Sequence, residues 1–149
     1  MNHQTQELGT ALLRISLGII YLAHSVYLKL FVFTLSGTVA YFESIGLPVF
    51  VAYGTFLVEA LGGLALVIGY QSRLVALALI PIALGATWAH SVAGWVFNAE
   101  GGGWEYPLFL AVTTAVVAVQ GNGAWSIQER SLQKRSLQAR DNTPQVQTV

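Results

Sequence analysis

The stretch Val49–Gly69, VFVAYGTFLVEALGGLALVIG, carries one charged side chain, Glu59, in an otherwise apolar run. A run of ~20 such residues spans the hydrocarbon core of a bilayer as a helix. It follows Gly46-Leu47-Pro48, a turn signal, and closes on Gly69. At ~100° per residue, Ala52, Thr55, Glu59, Gly62 and Gly63 share one face. Small residues beside a carboxylate allow two backbones to approach closely, which turns Glu59 toward a partner helix and away from lipid.

Three further runs read the same way, giving an all-α fold, an integral membrane four-helix bundle. The first extends from Leu8 or Ala11 to Phe33, the third from Arg73 to Trp95, and the fourth from Trp104-Glu105-Tyr106-Pro107 to Gly121. Pro107 suits a first helical turn, where its missing N–H costs nothing. Pro81 lies inside the third span and predicts a kink there. The first run is expected to stay in the protein as a membrane helix. It is long for a cleaved signal, contains Arg14, and lacks a basic lead-in and a small-x-small cleavage site.

Composition agrees. Of 149 residues, 54% are hydrophobic and only 9% charged, with a mean hydropathy of +0.60. Soluble domains carry about 25% charged residues, so the apolar surplus predicts a lipid bilayer as the partner. The formal net charge is zero, which gives no basic field to attract nucleic acid. Cysteine is absent, which excludes disulfides, cysteine-held iron–sulfur clusters and dithiol relays.

Arg14, Arg73, Arg130, Lys134, Arg135 and Arg140 fall on one side if both termini are cytoplasmic, and only Lys29 falls toward the other. The excess of cytoplasmic Lys and Arg therefore predicts an N-in/C-in topology. The segments Thr34–Gly46 and Val96–Gly103 are then outward loops. Residues 8–123 form the membrane unit and 124–149 a basic cytoplasmic tail. That tail repeats Arg130-Ser131-Leu132-Gln133 as Arg135-Ser136-Leu137-Gln138. It is expected to lie at the anionic inner leaflet, with Asp141–Val149 disordered.

The candidate site residues follow from polar faces on greasy helices. Arg14, Gly18, Tyr21, His24, Ser25 and Lys29 lie on one arc of the first span, and Ala83, Ala86, Thr87, His90 and Gly94 on one face of the third. Depths counted at ~1.5 Å per residue place Arg14 and Glu59 at similar levels. They predict a buried Arg14–Glu59 ion pair, with a carboxyl neutralised by desolvation as the alternative. His24 and His90 fall in the outer third, near Lys29, Trp104 and Glu105, which predicts a polar pocket opening outward.

Each of these residues also has an ordinary structural reading. Lys29 can snorkel to the headgroups, and Trp95 and Trp104 can be interfacial belt residues. Glu105 can complement the positive end of the fourth helix, and His90 can be an interfacial hydrogen-bonder. Two histidines on facing helices suit haem, copper or zinc, but with no pattern of carboxylates or carbonyls to orient their rings these rank below a quinone, and no metal site is assigned. The chain has no phosphate loop, nucleophile elbow or His-Glu-x-x-His helix.

Several matched residues carry a family likeness: Leu12-Leu13-Arg14 with Gly18, His24 with Lys29, Tyr41 with Gly46-Leu47-Pro48, and Glu59 with Gly62-Gly63. They continue with Gly69 through Arg73, Ala76, His90, Asn98, Gly103-Trp104-Glu105-Tyr106-Pro107 and Gly121-Asn122-Gly123. Over residues 8–127 the chain resembles the DoxX family of small bacterial membrane proteins. The family's His-Gly-x-x-Lys element is one residue longer here, and Ser25 stands in the glycine position. The resemblance implies a four-helix bundle in the bacterial cytoplasmic membrane, linked to oxidoreductase complexes. Arg14, His24, Lys29, Glu59, Arg73, His90, Trp104 and Glu105 are then its polar signature residues.

The expected function is a membrane subunit associated with an oxidoreductase, its pocket holding a quinone or a similar small ligand. A small-molecule transport module and a non-catalytic assembly subunit are the alternatives, with a partner oxidoreductase subunit or a second copy of the chain as protein partners. Four short helices without a cofactor motif argue against an independent redox enzyme, and whether the chain is an enzyme at all is left open.

Overall fold

A computed structural model describes residues 2–132 and Gln138. Lys134, Arg135, Arg140, most of the second half of the tail repeat and Asp141–Val149 lie outside the described residues, so the expectations for the tail rest on sequence.

The described residues form helices and no strands. Helix α1, His3–Leu22, continues without a break into a π-helical segment, Ala23–Val32. Helix α2 is Thr34–Ser44, α3 Val49–Ile68, α4 Ser72–Ala89 and α5 Glu105–Gln120. The continuous His3–Val32 helix, α3 and α4 are long and apolar enough to cross a membrane, while α5 is a shorter apolar helix. Helix α1 packs on α3, α4 packs on both α3 and α5, and α5 closes back on α1. Their outward faces are apolar, as lipid contact requires: Ile19, Phe50, Leu61, Leu74, Phe109 and Val119 are all exposed.

Two glycines set the register of the antiparallel α1–α3 pair. A Cβ on Gly18 would stand 2.7 Å from the Gly63 carbonyl oxygen, and one on Gly63 2.9 Å from the Gly18 carbonyl oxygen. Backbones this close leave dispersion contacts to hold the pair, which is how helices associate in lipid. With Gly18 level with Gly63, Arg14 is level with Val67. Glu59 then lies eight residues further along α3, a separation of ~12 Å.

The segment Thr34–Gly46, expected as a loop, is largely helical. Thr34, at φ 63, breaks the preceding helix and starts α2. Its hydroxyl oxygen accepts a hydrogen bond from the Gly37 N–H at 3.2 Å, the bond of an N-terminal cap. Thr38 is buried, and its hydroxyl lies within hydrogen-bonding reach of the carbonyls of Thr34 at 3.0 Å and Lys29 at 3.3 Å, tying α2 to the π-segment.

The end of the bundle that holds Arg14 is knotted by backbone contacts. Gly69 ends α3 in the left-handed region at φ 73, and the Tyr70 N–H returns to the Ala65 carbonyl at 2.9 Å. Asn122 accepts the Ser72 N–H through Oδ1 at 3.1 Å, and Gln128 accepts the Gln71 N–H at 2.9 Å, so the chain beyond α5 caps the start of α4. The Ala124 N–H donates to the Glu7 carbonyl at 3.0 Å.

Candidate functional site

The expected Arg14–Glu59 pair does not form. Arg14 is wholly buried, and its guanidinium is spent on backbone carbonyls. It donates to Leu66, to Val67 at 3.0 Å, to Asn122 at 2.6 Å and to Ala124 at 3.1 Å. Leu66 and Val67 lie in the last turn of α3, where carbonyls lack partners within the helix and the dipole favours a cation. Depth explains the correction. Arg14 faces the end of α3, while Glu59 lies more than two turns farther along the same helix.

Glu59 pairs instead with Lys29, whose ammonium donates to Oε2. Both side chains are largely enclosed, at 17% exposure for Lys29 and 8% for Glu59. Cα–Cβ bonds tilt toward the N-terminus of their own helix. The two helices are antiparallel, so Lys29 leans into the bundle and Glu59 leans toward Lys29. The ordinary snorkelling reading of Lys29 would send its ammonium the other way.

The π-segment bears on this geometry. Its bonds run from residue i to i+5, as in the Phe33 N–H to Leu28 carbonyl bond of 2.7 Å. Lys29 is five residues from His24, and five residues fall much closer to one face in i+5 winding than in an α-helix. The wide turn thus brings Lys29 nearer the face that carries His24. Ser25 fills the crowded position inside it, buried and donating to the Tyr21 carbonyl at 2.8 Å.

His24 is half-buried between the π-segment and α5. Its Nδ1 lies 2.9 Å from the Ile20 carbonyl, and its ring stacks on Tyr106 with centroids 5.7 Å apart and planes inclined by 20°. Tyr21 is fully buried and bonds Thr114 of α5 at 2.8 Å. The Thr114 hydroxyl already donates to the Leu110 carbonyl at 2.7 Å, so the Tyr21 hydroxyl is the donor. Tyr21 and His24 thus reach α5 through Thr114 and Tyr106, while Lys29, one π-turn beyond His24, reaches α3 through Glu59.

His90, Trp104 and Glu105 form a separate group in the α4–α5 connection. His90 Nδ1 lies 2.9 Å from the Gly101 carbonyl. The Trp104 ring meets Trp95 edge-on at 4.5 Å, and Glu105 accepts the Phe97 N–H at 3.4 Å. Each of these contacts orders the connection itself. Tyr106 joins the two groups in sequence, since it follows Glu105 and reaches His24.

Sequence reasoning missed Tyr106, Thr114 and Asn122 as partners. Tyr106 and Thr114 lie eight residues apart on α5, about two turns, so both fall near one face of that helix. That spacing was a usable signal. Asn122 offered none beyond its flanking glycines.

A polar cavity of about 840 Å³ opens at the Arg14 end of the bundle, lined in part by Thr10, Arg73, Gln120, Asn122 and Glu129. An apolar groove of about 440 Å³ runs along the first helix from Ile19 to Phe31. Outside the spans, the Glu129 carboxyl is pushed above the usual carboxylate range, first by burial and then by the charge of Glu7, against the opposing pull of Arg14 and His3.

A family model described as DoxX matches residues 9–92. The matched stretch includes Arg14, His24, Lys29, Glu59 and His90. A curated relative from Bacillus subtilis (strain 168), named "Putative oxidoreductase CatD", is 39% identical over 80 residues. The alignment covers 54% of this chain and 58% of that relative, less than two thirds of its length. No solved structure matches. With more than half its length under that family model and three helices apolar enough to cross a membrane, the chain is a membrane protein that belongs to the DoxX family.

Proposed function

We propose that this chain is a membrane subunit of an oxidoreductase system that binds a quinone-type ligand where the π-segment meets α3 and α5. The carrying observation is the Lys29–Glu59 ion pair, enclosed within the helices, with the half-buried His24–Tyr106 stack one π-turn away along the same segment. Ionisable groups inside a membrane bundle mark ligand or proton pathways more often than they serve packing alone. A quinone headgroup needs an aromatic surface, a hydrogen-bonding partner and a proton route within reach of lipid. Tyr106, His24 and the ion pair supply these in turn. The relative's name supports the oxidoreductase setting.

In this reading α5 is the fourth span, both termini are cytoplasmic and the membrane is the bacterial cytoplasmic membrane. Arg14, Arg73 and Arg130 then lie at the inner face and Lys29 in the outer half. The assembly-subunit reading draws support from Arg14, whose acceptors are all backbone carbonyls and whose work is structural.

The test is a lipid extract of the detergent-purified protein, analysed for quinones by mass spectrometry, beside His24→Ala and Glu59→Gln. Co-purified quinone that falls several-fold in both variants is the expected result. A quinone-free extract that stays so after incubation with added quinone overturns the reading.

A further inference from the structure

Resting on that reading of the site, we infer that it takes the hydroxyl-bearing hydroquinone in preference to the carbonyl-bearing quinone, and that His24 sets the preference. The Ile20 carbonyl can only accept, so the His24 Nδ1 at 2.9 Å carries the proton. With that proton on Nδ1, the other ring nitrogen, Nε2, offers its lone pair to a donor. Among the described residues Nε2 takes no hydrogen bond, and neither does Glu59 Oε1, while Oε2 is occupied by Lys29. The Tyr21 hydroxyl is committed as a donor to Thr114.

The unfilled positions at the site are therefore two acceptors together with the remaining N–H groups of Lys29 and the Tyr106 hydroxyl. A hydroxyl that donates and accepts discriminates neither form of the ligand. A hydroquinone brings an O–H for Nε2 and oxygen lone pairs for Lys29, so it answers both kinds of group. A quinone brings acceptors alone and sets its lone pair against that of Nε2. Leaving a half-buried acceptor unanswered next to lipid is costly. The Tyr106 ring beside His24 gives the flat ligand a face to stack on.

The probes are a decyl-substituted hydroquinone, kept reduced under anaerobic conditions, and its quinone, each titrated into the detergent-purified full chain. The hydroquinone is expected to bind roughly tenfold tighter, the scale of one buried hydrogen bond made or missed. In His24→Phe, which keeps a ring against Tyr106 and removes the acceptor, the preference is expected to vanish through weaker hydroquinone binding. The 15N resonance of His24 Nε2 in the unmodified protein is expected to shift with hydroquinone and not with quinone, which keeps the test intact if the variant fails to fold. Equal binding of both forms, tighter quinone binding, or a preference that survives His24→Phe overturns this inference and leaves the quinone-type site standing. Binding of neither form overturns both.

Discussion

Lys29 and Glu59, thirty residues apart, meet as an ion pair inside the helices. Each lies on a helix that ends, on that side, in the connection that carries α2, and each side chain is tilted toward the other by the antiparallel packing of α1 and α3. Neither charge has a comparable partner elsewhere among the described residues, where the other ion pair is His3–Glu7 on α1 at 3.2 Å. The pair is thus a closed unit, and the cost of breaking it falls on whichever member is left.

Removal of one member is expected to be worse than removal of both. Glu59→Gln or Lys29→Met alone leaves an uncompensated, largely enclosed charge, at a cost of about 3–5 kcal/mol. The double variant Lys29→Met/Glu59→Leu is expected to regain most of that, because an apolar pair of similar volume fills the space. Thermal unfolding in detergent, treated as a double-mutant cycle, gives the coupling. Strictly additive losses would mean that the two side chains do not act as a pair.

Arg14 is expected to tolerate no substitute. Its planar fork reaches four carbonyls on two separate segments, and a lysine ammonium at that position has neither the reach nor the spread. Arg14→Lys is predicted to lose most of what Arg14→Ala loses, with hydrogen exchange rising first in residues 64–70 and 121–126. Protection there equal to the unmodified protein in Arg14→Lys would show that charge alone holds the end of the bundle.

Much of the fold was legible because lipid enforces it. Apolar runs of the right length show as helices, and the expected starts of α3 and α5 lie within a residue or two of those observed. The polar arc of the first span was legible for the same reason, with Arg14, Gly18, Tyr21 and Ser25 buried. Partner choice was not. Counting depth from assumed membrane boundaries placed Arg14 beside Glu59, whereas the Gly18–Gly63 contact, a tertiary fact, sets them ~12 Å apart. The π-segment was illegible for a related reason, since an α-helical wheel applied to residues 23–32 has no means of showing where the winding widens. Helix α2 depends on the Thr34 cap and the buried Thr38, and neither produces an apolar period.

The same contact makes a prediction about glycines. Gly18→Ala is expected to destabilise by about 1–3 kcal/mol, because the new methyl meets backbone on α3 and forces the helices apart. Gly54 and Gly85 also lie within helices, yet a Cβ there meets nothing within 4 Å. Alanine at either is expected to be neutral or to stabilise by up to about 1 kcal/mol through helix propensity. Melting temperatures of the three variants in one detergent check the ordering, and a loss at Gly85 as large as at Gly18 would locate a further contact on the outer face of α4.

Acid is expected to tighten the chain that follows α5. The Glu129 carboxyl is raised in the folded protein by burial and by its neighbour Glu7, so ionisation opposes docking of that segment. For a carboxyl whose folded pKa lies above its unfolded value, the folded form binds the proton more tightly. Stability is therefore gained as the pH falls through the folded pKa, and the gain is complete below the ordinary carboxylate range. Above the folded pKa the ionised group remains a fixed burden. Hydrogen exchange of residues 124–132 is predicted to slow between pH 7 and pH 4.5 once corrected for intrinsic rates. Glu129→Gln removes the titrating group and is expected to show the slower rate already at pH 7, with the pH dependence flattened. His3 works in the opposite sense, since its charge lowers the Glu129 pKa. A His3→Ala background is therefore expected to enlarge the acid effect, and an unchanged profile in Glu129→Gln would show that Glu129 is not the group responsible.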